Sequence, residues 1–231
     1  MRPTLILSDL HLPYEHPDAL DFCVAVKDKY KTEDVISVGD ELDWHACSFH
    51  DHNPDLMSAG DELHESILRL KQWRTEFPSV RLCHSNHGTM LQRKAFAGGI
   101  PASAIQDYTK LYNTPGWSWH REIIEDMHGV PLIVRHQFGR NVRSSLSRIG
   151  DACAIWGHFH TVMAVEWRNN LNYRQFAACV GCLIDPKHTA FAYDQHNLDR
   201  PMLGCATVID GNLTLHPMFT NKRGRWSRTV S

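Results

Sequence analysis

Thr4-Leu5-Ile6-Leu7-Ser8-Asp9-Leu10-His11 is the stretch on which the reading of this chain turns. A short apolar run stops at Ser8-Asp9, and His11 follows two residues later. That pattern predicts a buried strand feeding a polar loop. The same event recurs downstream. Val35–Val38 stops at Gly39-Asp40, with Asp43 close behind. Val80–Cys83 runs into Ser85-Asn86-His87-Gly88. Pro131–Arg135 ends at His136, and Ala152–Trp156 ends at Gly157-His158-Phe159-His160. Five apolar segments therefore each deliver metal-ligand residue types at their ends.

Between these strands the periodicity changes. Asp18–Lys31 carries Leu20, Phe22, Val24 and Val26 and predicts a helix. Pro54–Phe77 places Leu56, Leu63, Ile67, Leu70 and Trp73 at spacings of three, four and seven, a long amphipathic helix that Pro78 ends. Met90–Tyr112 is helical in pattern but broken by Gly98-Gly99 and Pro101. Glu122–Met127 and Pro131–Arg135 flank His128-Gly129 as a hairpin, and Asn141–Arg148 predicts a short helix. Tyr173–Val180 and Ala206–Met218 continue as strands, with turns at Asn169-Asn170 and Asp210-Gly211. The order is strand–helix–strand–helix–strand, then mostly strands. It predicts an α/β (α+β) domain with a sandwiched sheet core and helices outside. No repeat or linker divides residues 1–231, so a single domain is expected. Residues 90–115 form a candidate helical cap and 221–231 a basic tail.

Composition narrows the class. No segment approaches the roughly 20 apolar residues that a membrane-spanning helix needs. The first apolar run is too short for a signal-peptide core and lacks a small-residue cleavage site, which predicts a cytoplasmic protein. The seven cysteines are odd in number and scattered, as expected of reduced, buried thiols. Cys179-x-x-Cys182 stands alone, without the second pair that structural zinc requires. Net charge is −2, so no global basic field draws nucleic acid. Lys222, Arg223, Arg225 and Arg228 around Trp226 read as a solvated tail, with a phosphate backbone as the minor alternative. The 16 histidines raise the prospect of metal chemistry.

The donor types define that chemistry. Carboxylates, imidazoles and one amide oxygen suit divalent ions of intermediate hardness, Mn²⁺ first, with Fe²⁺ or Zn²⁺ as options. Two such ions need a bridging anion, which a carboxylate supplies. Together they polarise a phosphate and acidify a water whose hydroxide attacks phosphorus in line. Each motif alone occurs by chance, but their order and context do not.

That ordered set resembles the calcineurin-like metallophosphoesterase superfamily, over Asp9 through His160. Its pattern runs Asp-x-His, Gly-Asp-x-x-Asp, Gly-Asn-His-Asp/Glu, His, Gly-His-x-His. The resemblance implies a β-sandwich flanked by helices and a pair of divalent metal ions. Asp9, His11, Asp40 and His160 would hold one ion; Asp40, Asn86, His136 and His158 would hold the other. His87 would donate the proton to the leaving oxygen or stabilise the transition state, with Asp43 behind the ligands. The stretch Gly181-Cys182-Leu183-Ile184-Asp185, with Ala190-Phe191-Ala192-Tyr193 and Arg200-Pro201, resembles phage-encoded members. The sequence departs from the pattern at Gly88, where the superfamily carries a carboxylate.

The reaction so implied is hydrolysis of a phosphate ester, with a phosphodiester of DNA, RNA or a nucleotide as the leading substrate. A phosphomonoesterase on nucleotides or phosphoproteins is the alternative, and a non-catalytic metal-binding module the second alternative. Arg93, Lys94, Arg140 and Arg143 follow the candidate ligands and could meet phosphates. Trp117 and Trp119 read as packing residues before base-stacking ones.

Overall fold

A computed structural model describes residues 1–49, 53, 55–169, 171–188, 190 and 199–230. Two sheets face each other. The six-stranded sheet runs β11-β10-β1-β2-β3-β4, and the five-stranded sheet runs β5-β6-β7-β9-β8. The strands are β1 Thr4–Leu7, β2 Asp34–Ser37, β3 Val80–Cys83, β4 Trp117–His120, β5 Ile123–Met127, β6 Val130–Val134, β7 Cys153–Trp156, β8 Met163–Asn169, β9 Arg174–Val180, β10 Gly204–Ile209 and β11 Asn212–Pro217. The helices of four or more residues are α1 Ala19–Tyr30, α2 Ala59–Glu76, α3 Met90–Ala97, α4 Tyr108–Leu111 and α5 Val142–Leu146.

The alternation along each strand sorts its side chains into layers. In β1, Ile6 faces the inner core with Ile36, Val134, Ile155, Ala178 and Val208. Its neighbours Leu5 and Leu7 point the other way, onto Phe22, Val26, Leu70, Trp73 and Phe77 beneath α1 and α2. On the far side, Val142 and Leu146 of α5 cover Ala154, Trp156, Ala177 and Cys179. Both faces of the central strands are thus covered, and β1 is buried at every position. The predicted sandwich flanked by helices is the fold observed.

Strand direction positions everything else. Strands β1 through β4 pair in parallel, as do β6, β7 and β9. The C-terminal ends of β1, β2 and β3 in one sheet and of β6 and β7 in the other therefore open toward one edge. Antiparallel β10 and β11 extend the first sheet, turning at Asp210 and Gly211, both at positive φ.

Several boundaries differ from the sequence reading. The long helix begins at Ala59, because Ser58 caps it by accepting a hydrogen bond from Asp61 N. Pro54, Asn170, Ser231 and the Phe191-Ala192-Tyr193 stretch lie outside the described residues. The Met90–Tyr112 segment resolves into α3, a 3₁₀ turn at Ala102–Ala104 and α4. Tyr108 of α4 and Tyr112, which caps its C-terminus, are buried and stack at a centroid distance of 5.4 Å. Trp117 and Trp119 belong to β4 and serve packing: their indole N–H groups donate to Phe77 O and Glu41 Oε1, each at 2.9 Å.

The C-terminal stretch is anchored through Arg225 and Trp226, while its four basic side chains stay exposed. Asp18 at the start of α1 receives the Arg225 guanidinium and Trp226 N, and Trp226 packs 5.5 Å from Phe22. The Arg225 hydrogen bonds hold the Asp18 carboxyl down to about 2. All seven cysteines are free thiols. Among the described residues, no cluster suited to a metal includes Cys179 or Cys182. No described helix is long and apolar enough to cross a membrane.

Candidate metal centre

The loops after β1 and β2 are zipped together before they reach the centre. Asp9 N donates to Gly39 O, His11 N to Asp40 O, Leu12 N to Glu41 O, and Asp43 N to Leu12 O, at 2.8–3.2 Å. These bonds extend the parallel ladder past its strands and fix Asp9, His11, Asp40 and Asp43 relative to one another. Asp9, His11, Asp40 and His158 all have positive φ, between 43° and 68°. Non-glycine residues rarely adopt that region, and where they do the strain often accompanies function. Here it turns side chains at strand ends inward.

Four side chains gather on one side: Asp9, His11, Asp40 and His160 offer ligand atoms within 4.8 Å of one another. His11 Nε2 lies 3.2 Å from His160 Nε2 and 3.4 Å from Asp40 Oδ2. Beside them, Asp40, His136 and His158 form a second such group. His136 Nε2 is 2.7 Å from Asn86 Oδ1, 3.2 Å from His158 Nδ1 and 3.3 Å from Asp40 Oδ2. The structure therefore brings all seven sequence-predicted ligand residues into one cluster, with Asp40 common to both groups. Asp9, His11, Asp40 and His136 are buried.

The surroundings set tautomers and charge. A backbone carbonyl only accepts, so His136 Nδ1, 3.1 Å from Val38 O, carries hydrogen and leaves Nε2 as a lone pair facing inward. That lone pair then faces the Asn86 oxygen, an arrangement that a proton or a cation between them relieves. Burial opposes charge on His136, but Asp40 and Asp9 outweigh it and raise the imidazole to about 9. Burial likewise opposes charge on Asp40, yet His136, His87 and His11 hold its carboxyl well below the ordinary range. His158 goes the other way, lowered by burial and by His136.

Asp43 stands behind the cluster. Its Oδ1 is 2.5 Å from His11 Nδ1, which fixes the His11 ring with Nε2 inward. Asp43 O accepts from His87 Nδ1, and His87 N donates to Asp40 Oδ1 at 3.0 Å. His87 Nδ1 is therefore the hydrogen-bearing nitrogen, and Nε2 is left for a group outside. With its side chain 24% exposed, against 2–7% for His11 and His136, His87 lies on the solvent side of the cluster.

Three supporting roles are not legible in the sequence, those of Gly157, Ser85 and Glu41. Gly157 has no room for a side chain, because a Cβ would fall 2.0 Å from Asp9 Oδ2 and 2.3 Å from Ser8 Oγ. Ser85 Oγ accepts from Asp40 N at 2.8 Å and Gly88 N at 3.0 Å, tying the two ligand loops together. Glu41 is wholly buried, and its carboxyl group is pushed up to about 7 by that burial. A Cβ on Gly88 would stand 3.1 and 3.2 Å from the two Glu41 oxygens and 2.7 Å from Ser85 Oγ. A carboxyl group is thus present at the His87 turn, delivered by residue 41 instead of 88. In sequence, Glu41 is merely an acid beside Asp40; its burial depends on a contact across strands.

A comparison with protein-family models finds no match, and neither does one with curated proteins. Solved structures give the likeness. Vacuolar Protein Sorting 29 from Cryptosporidium parvum aligns over 100% of this chain and 96% of its own, at 12% identity and a TM-score of 0.51. YfcE, a phosphoesterase from E. coli, aligns over 92% of this chain and 91% of its own at 14% identity, with a TM-score of 0.49. The chain has the calcineurin-like phosphoesterase fold. A fold hosts more than one function, so activity must be argued from the site.

Proposed function

We propose that this chain is a two-metal phosphoesterase acting on phosphodiesters of nucleic acid or nucleotides. The observation that carries the reading is the position of Asp40, whose Oδ2 lies 3.4 Å from His11 Nε2 and 3.3 Å from His136 Nε2. One buried carboxylate thus stands between two groups of lone pairs. Asp9, His11, Asp40 and His160 hold one divalent ion, and Asp40, Asn86, His136 and His158 hold the other. The donor set fits such ions: mixed oxygen and imidazole donors, without cysteine, suit Mn²⁺, Fe²⁺ or Zn²⁺. When bound, the pair polarises the phosphoryl group and acidifies water.

The chain's own residues do the rest. Asp43 holds the His11 ring in its ligating orientation. His87, fixed through Nδ1 by the Asp43 carbonyl, presents Nε2 toward the leaving oxygen, and its doubly protonated ring would give up the Nε2 proton there while Nδ1 keeps its own. Ser85 and Glu41 support the turn that carries Asn86 and His87. Residues 1–231 act as one domain, with 90–115 as its helical cap.

Bis-p-nitrophenyl phosphate and the monoester test the reading. With Mn²⁺ the diester is hydrolysed faster than the monoester. The reverse preference moves the assignment to a phosphomonoesterase. No turnover of either ester with any divalent ion leaves a metal-binding module.

A further inference from the structure

Four basic residues follow the candidate ligands in sequence, and the structure separates them into two kinds. Arg140 pairs with Asp199 at 3.1 Å and Arg143 with Glu166 at 3.4 Å, so their charges are already answered. Arg93 and Lys94 have no carboxylate partner among the described residues. Both instead lie against one ring: the Arg93 guanidinium carbon is 5.0 Å and Lys94 Nζ 4.1 Å from the centroid of Phe49. That ring is 49% exposed. Arg93 Nη1 also donates to Asn86 O at 3.3 Å, which ties the patch to the loop bearing Asn86 and His87.

Two cations beside one aromatic ring, with no carboxylate partner among the described residues, repel each other and attract an anion. The chain as a whole is slightly acidic, so this attraction is local rather than a property of the molecule's field. An exposed ring beside cations is the combination that holds single-stranded nucleic acid: phosphates meet the charges and an unpaired base stacks on the ring. A duplex keeps its bases stacked inward and offers the ring nothing. We propose that Phe49, Arg93 and Lys94 form a rim that binds single-stranded nucleic acid and presents a phosphodiester to the metal centre. This rests on the phosphodiesterase reading above and adds the substrate class to it.

The test uses the Mn²⁺-loaded protein, a short fluorescein-labelled oligothymidylate, and its duplex as competitor. Anisotropy gives affinity across a salt series, and bis-p-nitrophenyl phosphate turnover is read on the same samples. Lys94→Gln should make the slope of log affinity against log salt shallower by about 0.7, the contribution of one single-strand phosphate contact. Phe49→Leu should leave the slope and weaken binding by about tenfold, as loss of one stacked base does. In both variants oligonucleotide cleavage should fall at least several-fold relative to small-ester turnover. An unchanged salt slope in Lys94→Gln, or equal affinity for strand and duplex, overturns the rim while ester turnover by the unsubstituted chain keeps the enzyme reading. Absence of ester turnover in the unsubstituted chain overturns both.

Discussion

His136 Nε2 lies 3.3 Å from Asp40 Oδ2, although His136 follows a strand of the five-stranded sheet and Asp40 one of the six-stranded sheet. This contact joins the two sheets at the edge where their parallel strands end. Asp40 reaches His11 with the same oxygen. Asp40→Asn should therefore abolish retention of both ions, not one. Elemental analysis of the purified variant checks this; metal content equal to that of the unsubstituted chain would falsify the bridging role.

The same contact predicts opposite pH trends with and without metal. Asp40 and Asp9 raise His136 from an ordinary 6.5 to about 9. A raised histidine stabilises the fold fully below about 6.5, and that contribution is lost as pH rises through about 9. Metal-free protein should thus weaken across that interval. A cation needs the lone pair that the proton occupies, so Mn²⁺ affinity should climb by about tenfold or more per pH unit up to about 9. Calorimetric titrations between pH 7 and 9 check the second trend, and pH-independent affinity would contradict it.

His87 is half-buried where Asp9, His11, Asp40 and His136 are buried, and its Nδ1 is engaged by the Asp43 carbonyl. His87→Ala should retain both ions yet lose about 10²–10⁴-fold in kcat. A loss under tenfold removes His87 from proton transfer.

Much of this was legible in the sequence, and the rest was hidden for identifiable reasons. The strands that end at Asp9, Asp40, Asn86, His136 and His158 show as short apolar runs cut off by ligand types. Buried parallel strands leave that trace because both faces are covered. Strand β4, Trp-Ser-Trp-His, went unread because its pairing with β3 comes from tertiary contact rather than local pattern. Trp226 sat among basic residues that suggested a free tail, yet the acceptor for its N–H is Asp18 at the other end of the chain. Helix α2 carries the right spacing in its body, but its start was set by the Ser58 cap.

Glu41 shows what such long-range contacts conceal. Its carboxyl group is buried beside Gly88, with Trp119 donating to Oε1. Burial raises it from 4.5 to about 7. A raised acid contributes stability below the unfolded value, and that contribution is lost as pH rises through the folded one. Glu41→Gln keeps the shape and removes the titration. Relative to the unsubstituted metal-free chain, it should therefore gain about 3 kcal/mol between pH 4.5 and just above 7. Urea unfolding at the two pH values checks this; a constant difference between the proteins would place the Glu41 carboxyl in contact with water.

Whether two ions occupy one centre is read most directly by electron paramagnetic resonance during a Mn²⁺ titration. Ions sharing the Asp40 carboxylate at about 3.5–4 Å are magnetically coupled. At two equivalents per chain, the six-line signal of isolated Mn²⁺ should give way to the broad multiline spectrum of a coupled pair. A second equivalent that only doubles the six-line signal would contradict the two-ion centre.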